Sequence, residues 1–183
     1  MSMTGPYVFR RAETADLPLI GRWLGERHVA KWWGRSGEEI AEIARHVAGD
    51  DTVPLVVVHE ARPIGYLQWY PATSDGELPE QPEGTRGIDF LIGEPEALGK
   101  GHGAAFLKQF VEEAHHENVA RLVADPDGRN ISSVGCLGRA GFEPVRLIGP
   151  AGARRLLMAR DIHYKPAAPS RGERPSRRRR RET

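Results

Sequence analysis

Apolar residues recur at intervals of three and four along several stretches of the chain, the spacing that places them on one face of a helix. These intervals predict helices with inward faces formed by Leu17, Ile20, Trp23 and Leu24, by Ile40, Ile43, Ala44 and Val47, and by Leu107, Phe110, Val111 and Ala114. Asp16 is expected to open the first helix. Ser36 and Glu39 have the spacing of a capping box that would start the second. A fourth helix is predicted from about Asn130 to Arg139, with Gly141 after its last turn.

Runs of β-branched and other apolar residues predict strands between these helices. They cover Tyr7–Arg11, Val53–His59, Ile64–Tyr70, a central strand from Arg86, Arg121–Ala124, Phe142–Ile148 and Arg155–Arg160. Residues 28–34 are expected to be a break, and residues 60–63 a turn between two strands. Gly65 indicates a bend or a close backbone approach. Residues 71–85 form a polar, acidic loop that is long enough to suggest a function.

Three glycines, Gly99, Gly101 and Gly103, follow the central strand and open the helix that contains Leu107. Glycine lets the backbone come close to a ligand, and the unpaired N–H groups at a helix start favour an anion, typically a phosphate. The loop is neither a Walker loop, which needs Gly-Lys-[Ser/Thr], nor a dinucleotide fingerprint, which needs another glycine spacing. The sequence therefore predicts a phosphate-bearing ligand without identifying it.

Charge is distributed unevenly along the 183 residues, whose net charge is +1. The last nineteen residues hold 8 of the 26 Lys and Arg residues and 2 of the 25 Asp and Glu residues, so they carry +6 and the preceding 164 carry −5. An acidic body favours a small cationic substrate and argues against nucleic acid as the partner of the folded part. We therefore expect one domain over residues 1–164 and a disordered, arginine-rich tail over residues 165–183.

Other features narrow the classes of protein to be considered. The chain has no apolar run of 18 residues, so no membrane span is expected, and its N-terminus has no visible secretory signal. The single Cys136 has no internal disulfide partner, which suits a cytoplasmic location. His115 and His116 lack further ligands at zinc spacing, so no metal site is expected. No nucleophile motif predicts a covalent acyl-enzyme.

The glycine loop after a strand and the segment 130–142 resemble two signatures of the GCN5-related N-acetyltransferases (GNAT). Over residues 7–160 the chain resembles most the aminoglycoside 6′-N-acetyltransferases of that superfamily, through its segments 28–34, 63–70, 86–89, 98–103 and 125–126. The resemblance implies the GNAT fold: an α/β domain with a mixed, mostly antiparallel central sheet, splayed at the cofactor site and flanked by helices. It also implies direct transfer of an acetyl group from acetyl-coenzyme A to an amine.

The resemblance implies that the central strand, the glycine loop and the fourth helix hold acetyl-coenzyme A. The implied residues are Leu91, Ile92, Gly99, Lys100, Gly101, His102, Gly103, Ala104, Asn130 and Ser133. A backbone N–H near Leu91 would polarise the thioester carbonyl, and side chains at Gly101 or Gly103 would obstruct the pyrophosphate. Asn130 could instead be only a helix cap. Leu137 stands where the family often has the tyrosine that protonates the leaving thiolate, which leaves the general acid open.

Asp89, on the central strand, is the candidate catalytic residue. Alternation places Asp89 and Leu91 on one face of the strand, and Ile88, Phe90 and Ile92 on the other. A carboxylate there can accept the proton that a substrate ammonium must lose, or position the amine. On the residues alone, Asp89 could equally pair with Arg86 or close a strand end, and the resemblance favours catalysis.

The same resemblance implies a substrate site. Its residues are Trp33, Gln68, Asp75, Asp89 and Asp125. Asp75 and Asp125, more than Glu77, would anchor ammonium groups through charge-assisted hydrogen bonds. Of the two neighbouring tryptophans, one is expected to face inward and Trp33 to line the pocket with Gln68. The expected acceptor is the 6′-amine of an aminoglycoside, which would confer resistance, or the 2′-amine of a kasugamycin-like substrate.

Two alternatives remain open at this point. One is an acyltransferase for another amine, such as the N-hydroxylysine of a siderophore. The other is a non-catalytic, GNAT-like protein that contacts nucleic acid through its basic tail. The sequence does not distinguish a monomer from a dimer.

Removing residues 166–183 is expected to leave the melting temperature and the turnover of small substrates nearly unchanged, because this composition cannot support a packed core. Thermal unfolding and steady-state kinetics of the full-length and shortened proteins check this. A large loss of turnover on truncation would show that the tail belongs to the active domain.

Overall fold

One seven-stranded sheet organises the computed structural model, which describes residues 5–49, 51–72, 78–117 and 119–162. The strands are β1 (Tyr7–Arg11), β2 (Val53–His59), β3 (Arg62–Pro71), β4 (Thr85–Ile92), β5 (Arg121–Ala124), β6 (Glu143–Ile148) and β7 (Arg155–Asp161). The helices are α1 (Leu17–Gly25), α2 (Arg27–Ala30), α3 (Ser36–Gly49), α4 (His102–Ala114) and α5 (Ile131–Arg139). Each strand and helix expected from the pattern is present, and the short α2 lies partly within the segment 28–34 that was expected to be a break.

The sheet is antiparallel except at one pair of strands in its middle. Its order is β1-β2-β3-β4-β5-β7-β6, and only β4 and β5 run parallel. Their pairing covers Thr85–Gly87 against Arg121–Val123, so β4 continues for five residues beyond its last partner on β5. This confirms a mixed, mostly antiparallel sheet that is splayed near its centre.

The two faces of the sheet pack against different helices. On one face, Ile88 of β4 joins a core with Phe106 and Phe110 of α4. On the other face, Leu91 of β4 packs with Trp23 of α1 and with α3. The alternation predicted for the central strand is therefore confirmed. Among the described residues, no helix has the length and apolar character that a membrane crossing requires.

The β2–β3 hairpin is tighter than residues 60–63 suggested. Glu60 and Ala61 both have positive φ angles, 48° and 61°, which is the backbone of a two-residue hairpin turn. The strand register shifts near Gly65, and a Cβ atom at Gly65 would collide with the carbonyl oxygen of Leu91. The close backbone approach predicted for Gly65 is confirmed, and it brings β3 tightly against β4.

Two helix starts differ in detail from the sequence interpretation. α3 already includes Ser36, and the Glu39 carboxylate accepts a hydrogen bond from the backbone N–H of Gly34. The predicted capping box is therefore wrong in pairing Glu39 with Ser36, because Glu39 bonds to the backbone of Gly34 instead. Asp16 precedes α1 without capping it, because its carboxylate binds both terminal nitrogens of Arg10, each at 2.7 Å.

The end of α5 follows the prediction. Gly141 has a φ of 88°, and its N–H donates to the carbonyl of Gly138. The N–H of Phe142 donates to the carbonyl of Leu137. This pair of bonds is the Schellman motif, in which glycine adopts the left-handed conformation at low cost.

Gly103 has a packing role that the sequence did not reveal. It lies in the first turn of α4, and a Cβ atom there would lie 2.9 Å from Sγ of Cys136 on α5. A side chain at Gly103 would therefore point at α5, and its obstruction of a pyrophosphate stays a prediction. The glycine lets α4 and α5 approach each other.

Gly103→Val should destabilise the protein by about 1–3 kcal/mol, the usual cost of overpacking a well-filled contact. For a domain of this size, this lowers Tm by several degrees. Part of the loss should disappear in a Cys136→Ala background, because the atom nearest to the added side chain is removed. Thermal unfolding of the two single variants and the double variant checks this, and equal losses in both backgrounds would contradict the packing role.

Candidate active site

A cleft of about 910 Å³ opens at the place where β4 leaves β5. Gln68 of β3 and Asp89 of β4 lie at its floor, and α3 forms one wall. The opposite wall comes from the residues that follow β5 and from Arg155 at the start of β7. Its size is within the range of small-molecule sites. The splayed pair of strands therefore creates both the cleft and the route into the sheet.

Asp89 is held at the floor by hydrogen bonds from β3. Gln68 Nε2 donates to Asp89 Oδ2 at 2.9 Å, and the Tyr70 hydroxyl is a second donor near the carboxylate that acts to lower its pKa. Burial is the main influence on the pKa of Asp89 and raises it, while the two donors and Arg155 act in the opposite direction. The net effect is a carboxylate with a raised pKa at the bottom of an open cleft, a combination typical of proton-transferring residues.

The structural alternative for Asp89 was an ion pair with Arg86. Arg86 lies on the opposite face of β4, where its guanidinium stacks over the ring of Trp69 at 5.2 Å. Strand alternation keeps the side chains of Arg86 and Asp89 on different sides of the sheet. This ion pair is therefore absent, and Asp89 faces the cleft.

Two acidic residues of the cleft were missed as site residues. Glu39 and Glu42 lie three residues apart on α3 and line the wall beside Asp89. Burial raises the pKa of Glu39, and the nearby carboxylates of Glu42 and Asp89 raise it further. The pattern had assigned Glu39 to a helix cap. The signal that could have identified the pair is the shared helical face of residues three apart.

Two further carboxylates are paired with arginines. Asp125 Oδ2 lies 3.0 Å from a terminal nitrogen of Arg155, and Asp127 Oδ2 lies 2.6 Å from Nη2 of Arg129. Hydrogen bonds from Arg129 lower the pKa of Asp127 to about 2. Among the described residues, five carboxyl groups and two guanidinium groups thus line the cleft, and the excess of carboxyl groups favours a cation with several charges.

The other predicted substrate residues have mixed outcomes. Trp33 lines the cleft and meets the ring of Tyr66 edge-on, with 6.1 Å between centroids. Trp32 also lines the cleft and is half-buried, so neither tryptophan faces fully inward. Gln68 contacts the cleft as expected. Asp75 and Glu77 lie outside the described residues.

The backbone of β4 offers hydrogen-bond donors to the gap. Gly93 N donates to the carbonyl of Ile64, so odd-numbered residues of β4 bond to β3 and even-numbered residues point away from it. The N–H of Leu91 therefore faces β3, so the polarising N–H expected near Leu91 would belong to a neighbouring residue. Phe90 and Ile92 direct their N–H groups away from β3, beyond the last residue that pairs with β5.

Next to this gap, α4 begins at a glycine-rich turn. Gly99 and Gly101 have φ angles of 71° and 85°, and apart from their chain neighbours no described residue comes within 4 Å of where their Cβ atoms would be. Gly101 is the N-cap of α4 and provides no capping side chain. The first N–H groups of this helix, from residues such as Ala104, suit an anionic group, and the exposed Lys100 adds a positive charge beside them.

His102 contributes its ring to packing rather than to the cleft. Its Nδ1 lies 2.9 Å from the Tyr7 hydroxyl, and its ring lies 4.7 Å from that of His59. Burial, followed by the charges of His59 and Lys100, lowers the pKa of His102. Within the described ranges, no three His, Cys, Asp or Glu side chains are placed to hold a metal ion.

At the far wall, Asn130 caps α5 and also lines the cleft. Its Oδ1 accepts the N–H of Ser133 at 3.2 Å, so the helix-cap role is present. A cofactor-binding role for Asn130 remains a proposal beside it. Leu137 is fully buried and carries no acidic proton, while Cys136 packs against α4.

Comparisons with known proteins agree on one family. A model of the acetyltransferase (GNAT) domain matches residues 12–149. The chain is 32% identical over 141 residues to an aminoglycoside N(6′)-acetyltransferase type 1 of Klebsiella pneumoniae, covering 70% of this chain and 69% of the relative. It is 23% identical over 139 residues to the lysine N-acyltransferase MbtK of Mycobacterium tuberculosis, covering 72% of this chain and 66% of the relative.

Among solved structures, AAC(6′)-Ib in complex with ribostamycin and coenzyme A superposes with a TM-score of 0.76. Its sequence identity is 26%, and the match covers 86% of this chain and 94% of the other.

Glu39→Gln should raise Tm near neutral pH. A carboxyl group whose folded-state pKa is raised contributes stability that is complete below its unfolded pKa, near 4.3, and is lost as pH rises through the folded value. Glutamine removes this loss and can still accept the hydrogen bond from Gly34. Thermal unfolding between about pH 4 and pH 8 should show a gain that vanishes toward acid pH. Glu38→Gln, at an exposed site on α3, is the matched control, and the same gain there would contradict the explanation.

Proposed function

Because the chain belongs to the GNAT acetyltransferase family, we propose that it transfers the acetyl group of acetyl-coenzyme A to an amino group of an aminoglycoside. The 6′-amine is the favoured acceptor, and such a reaction would confer resistance to the antibiotic. The observation that carries the proposal is the position of Asp89 at the floor of an acidic cleft, at the place where the sheet opens.

The charge of the cleft supports a substrate with several ammonium groups. Asp89, Glu39 and Glu42 lie together on one side, and Asp125 with Arg155 lies on the other. Carboxylates form strong, charge-assisted hydrogen bonds with ammonium groups. Trp33 adds an aromatic surface beside Glu39, which suits the face of a sugar ring. An aminoglycoside has both features, since it carries amines on linked rings.

Asp89 supplies the proton-transfer step in this proposal. A substrate amine arrives as an ammonium group and must lose a proton before its nitrogen can attack a carbonyl carbon. The carboxylate of Asp89 accepts that proton, directly or through a water molecule, and its raised pKa makes it a stronger base for this purpose. Gln68 holds the carboxylate in place during the transfer.

The backbone of β4 supplies the second contribution to the proposed reaction, which is the stabilisation of negative charge. Acetyl-coenzyme A provides an activated acetyl group when it is bound. The N–H groups of Phe90 and Ile92, which point away from β3, would stabilise negative charge on a carbonyl oxygen in the gap. The turn at Gly99 and Gly101, with the start of α4, would hold the pyrophosphate.

A lysine-type amine is the second candidate acceptor, because one relative is a lysine N-acyltransferase. The two acceptors differ in charge. An aminoglycoside carries several ammonium groups that match the carboxylates of the cleft, whereas a lysine-type acceptor presents one terminal amine. The distribution of Glu39, Glu42 and Asp89 along one side favours the aminoglycoside.

Asp89→Asn should lower kcat for an aminoglycoside by about 10²- to 10⁴-fold, because general-base help is lost while size and most hydrogen bonding remain. Part of the rate should return as pH rises from 6 to about 9, since more of the amine is then neutral. The measurement is release of free coenzyme A with a panel of aminoglycosides, with the acetylated nitrogen located by NMR.

Asp161→Asn is the matched control, because Asp161 pairs with Arg121 outside the cleft. Wild-type turnover by Asp89→Asn at every pH would end the claim for Asp89. Acetylation of N-hydroxylysine but of no aminoglycoside would favour the second candidate instead.

A further inference from the structure

The ring of Tyr70 lies across Gly87. These two residues are direct cross-strand partners on β3 and β4, and Gln68 and Asp89 are the next pair on the same face. A Cβ atom at Gly87 would lie 2.9 Å from the Tyr70 hydroxyl oxygen and closer still to the ring carbons. Real Cβ atoms do not tolerate such contacts, so the ring needs glycine at position 87.

The position of the ring across Gly87 brings the Tyr70 hydroxyl close to Asp89. Over Gly87 the ring leans along β4, which brings its hydroxyl toward the Asp89 carboxylate two residues farther on, where it acts as a donor that lowers the pKa of that carboxyl group. The ring packs near the buried side chains of Val123 and Leu157, which fix its position.

A second chain of hydrogen bonds reaches Asp89 from the other side. The Tyr66 hydroxyl donates to Gln68 Oε1 at 2.8 Å, and Gln68 Nε2 then donates to Asp89 Oδ2 at 2.9 Å. Because the Gln68 carbonyl is engaged by Tyr66, its amide nitrogen faces Asp89. Asp89 is therefore held between two donors, from Gln68 and from Tyr70.

We propose that Tyr70, lying across the side-chain-free Gly87, is a positioning residue that orients the Asp89 carboxylate for its proton transfer. The inference rests on the proposed role of Asp89 as the base. It also assigns a function to Gly87, which is to leave space for the Tyr70 ring beside Asp89.

Opposing influences meet at Asp89. Burial raises its pKa, and the carboxylate of Glu42 on α3 acts in the same direction, with Glu39 on the same helix also close enough to interact. Arg155 of β7, itself paired with Asp125, acts against them. The pKa of Tyr70 is raised far above its ordinary value, chiefly by burial, so its hydroxyl remains a donor at every working pH.

Tyr70→Phe keeps the ring and removes only the donor. The acid limb of the pH profile of kcat/KM should move to higher pH, and kcat/KM on that limb should fall about tenfold or more, as for other lost hydrogen bonds to charged groups. Tyr66→Phe removes a hydroxyl one step farther from the carboxylate and should move the limb less. An unchanged limb in Tyr70→Phe would overturn the proposal.

Gly87→Ala tests the role of the glycine. The added methyl group should displace the Tyr70 ring and shift the limb in the same direction. In a Tyr70→Ala background the same change should have little further effect, because the atoms it would strike are gone. Gly37→Ala, where nothing lies within 4 Å of the added atom, is the matched control. Equal effects of Gly87→Ala in both backgrounds would contradict the proposal.

A readout without substrate separates this inference from the proposed function. The ¹³C carboxyl resonance of Asp89, followed by NMR in the free protein, should titrate at higher pH in Tyr70→Phe than in the wild type. If the wild-type protein acetylates no amine but this shift is present, the positioning role stands and the proposed function fails. If the wild-type protein acetylates an aminoglycoside and neither the resonance nor the limb moves, the positioning role fails alone.

Discussion

The separation of β4 from β5 is the constraint on which the rest of the site depends. The two strands pair over only three residues, and β4 then continues alone. An unpaired strand inside a sheet leaves backbone groups without partners, which is costly unless another group uses them. Here one such carbonyl, that of Ile92, meets Nε2 of His28 at 2.9 Å, and the N–H groups of Phe90 and Ile92 point away from β3 into the gap. The fold thus holds a binding site open at its centre.

The acidic floor of the cleft also lowers the stability of the protein. Burial and neighbouring carboxylates raise the pKa values of Asp89 and Glu39, so ionising both costs stability near neutral pH. A cationic substrate would relieve this repulsion when it binds. The protein therefore gives up some stability at the place where it would gain affinity, a common compromise at functional sites.

Local patterns predicted much of this structure. Runs of β-branched and apolar residues predicted the strands, and intervals of three and four predicted the helices. Alternation along β4 placed Asp89 and Leu91 correctly on one face. The close approach of Gly65 to β4 was also predicted, because glycine inside a strand marks a bend or a close backbone approach. The resemblance in the segments 86–89 and 98–103 then directed attention to Asp89.

What the sequence did not predict depends on contacts between distant segments. Glu39 was assigned to a helix cap because nothing local shows that α3 packs beside β4. The packing role of Gly103 was missed because its contact with Cys136 joins two helices that are far apart in the chain. The N–H directions along β4 needed the strand register, which no single strand encodes. Each of these follows from tertiary packing.

A crystal structure of the protein with coenzyme A and ribostamycin would test the central claim most directly. The account predicts that a primary amine of the aminoglycoside lies within about 3.2 Å of the Asp89 carboxylate, directly or through one water molecule. It also predicts that the sulfur of coenzyme A lies in the gap beside Phe90. An aminoglycoside held by Glu39 and Glu42 with no amine near Asp89, or coenzyme A bound away from this gap, would contradict it.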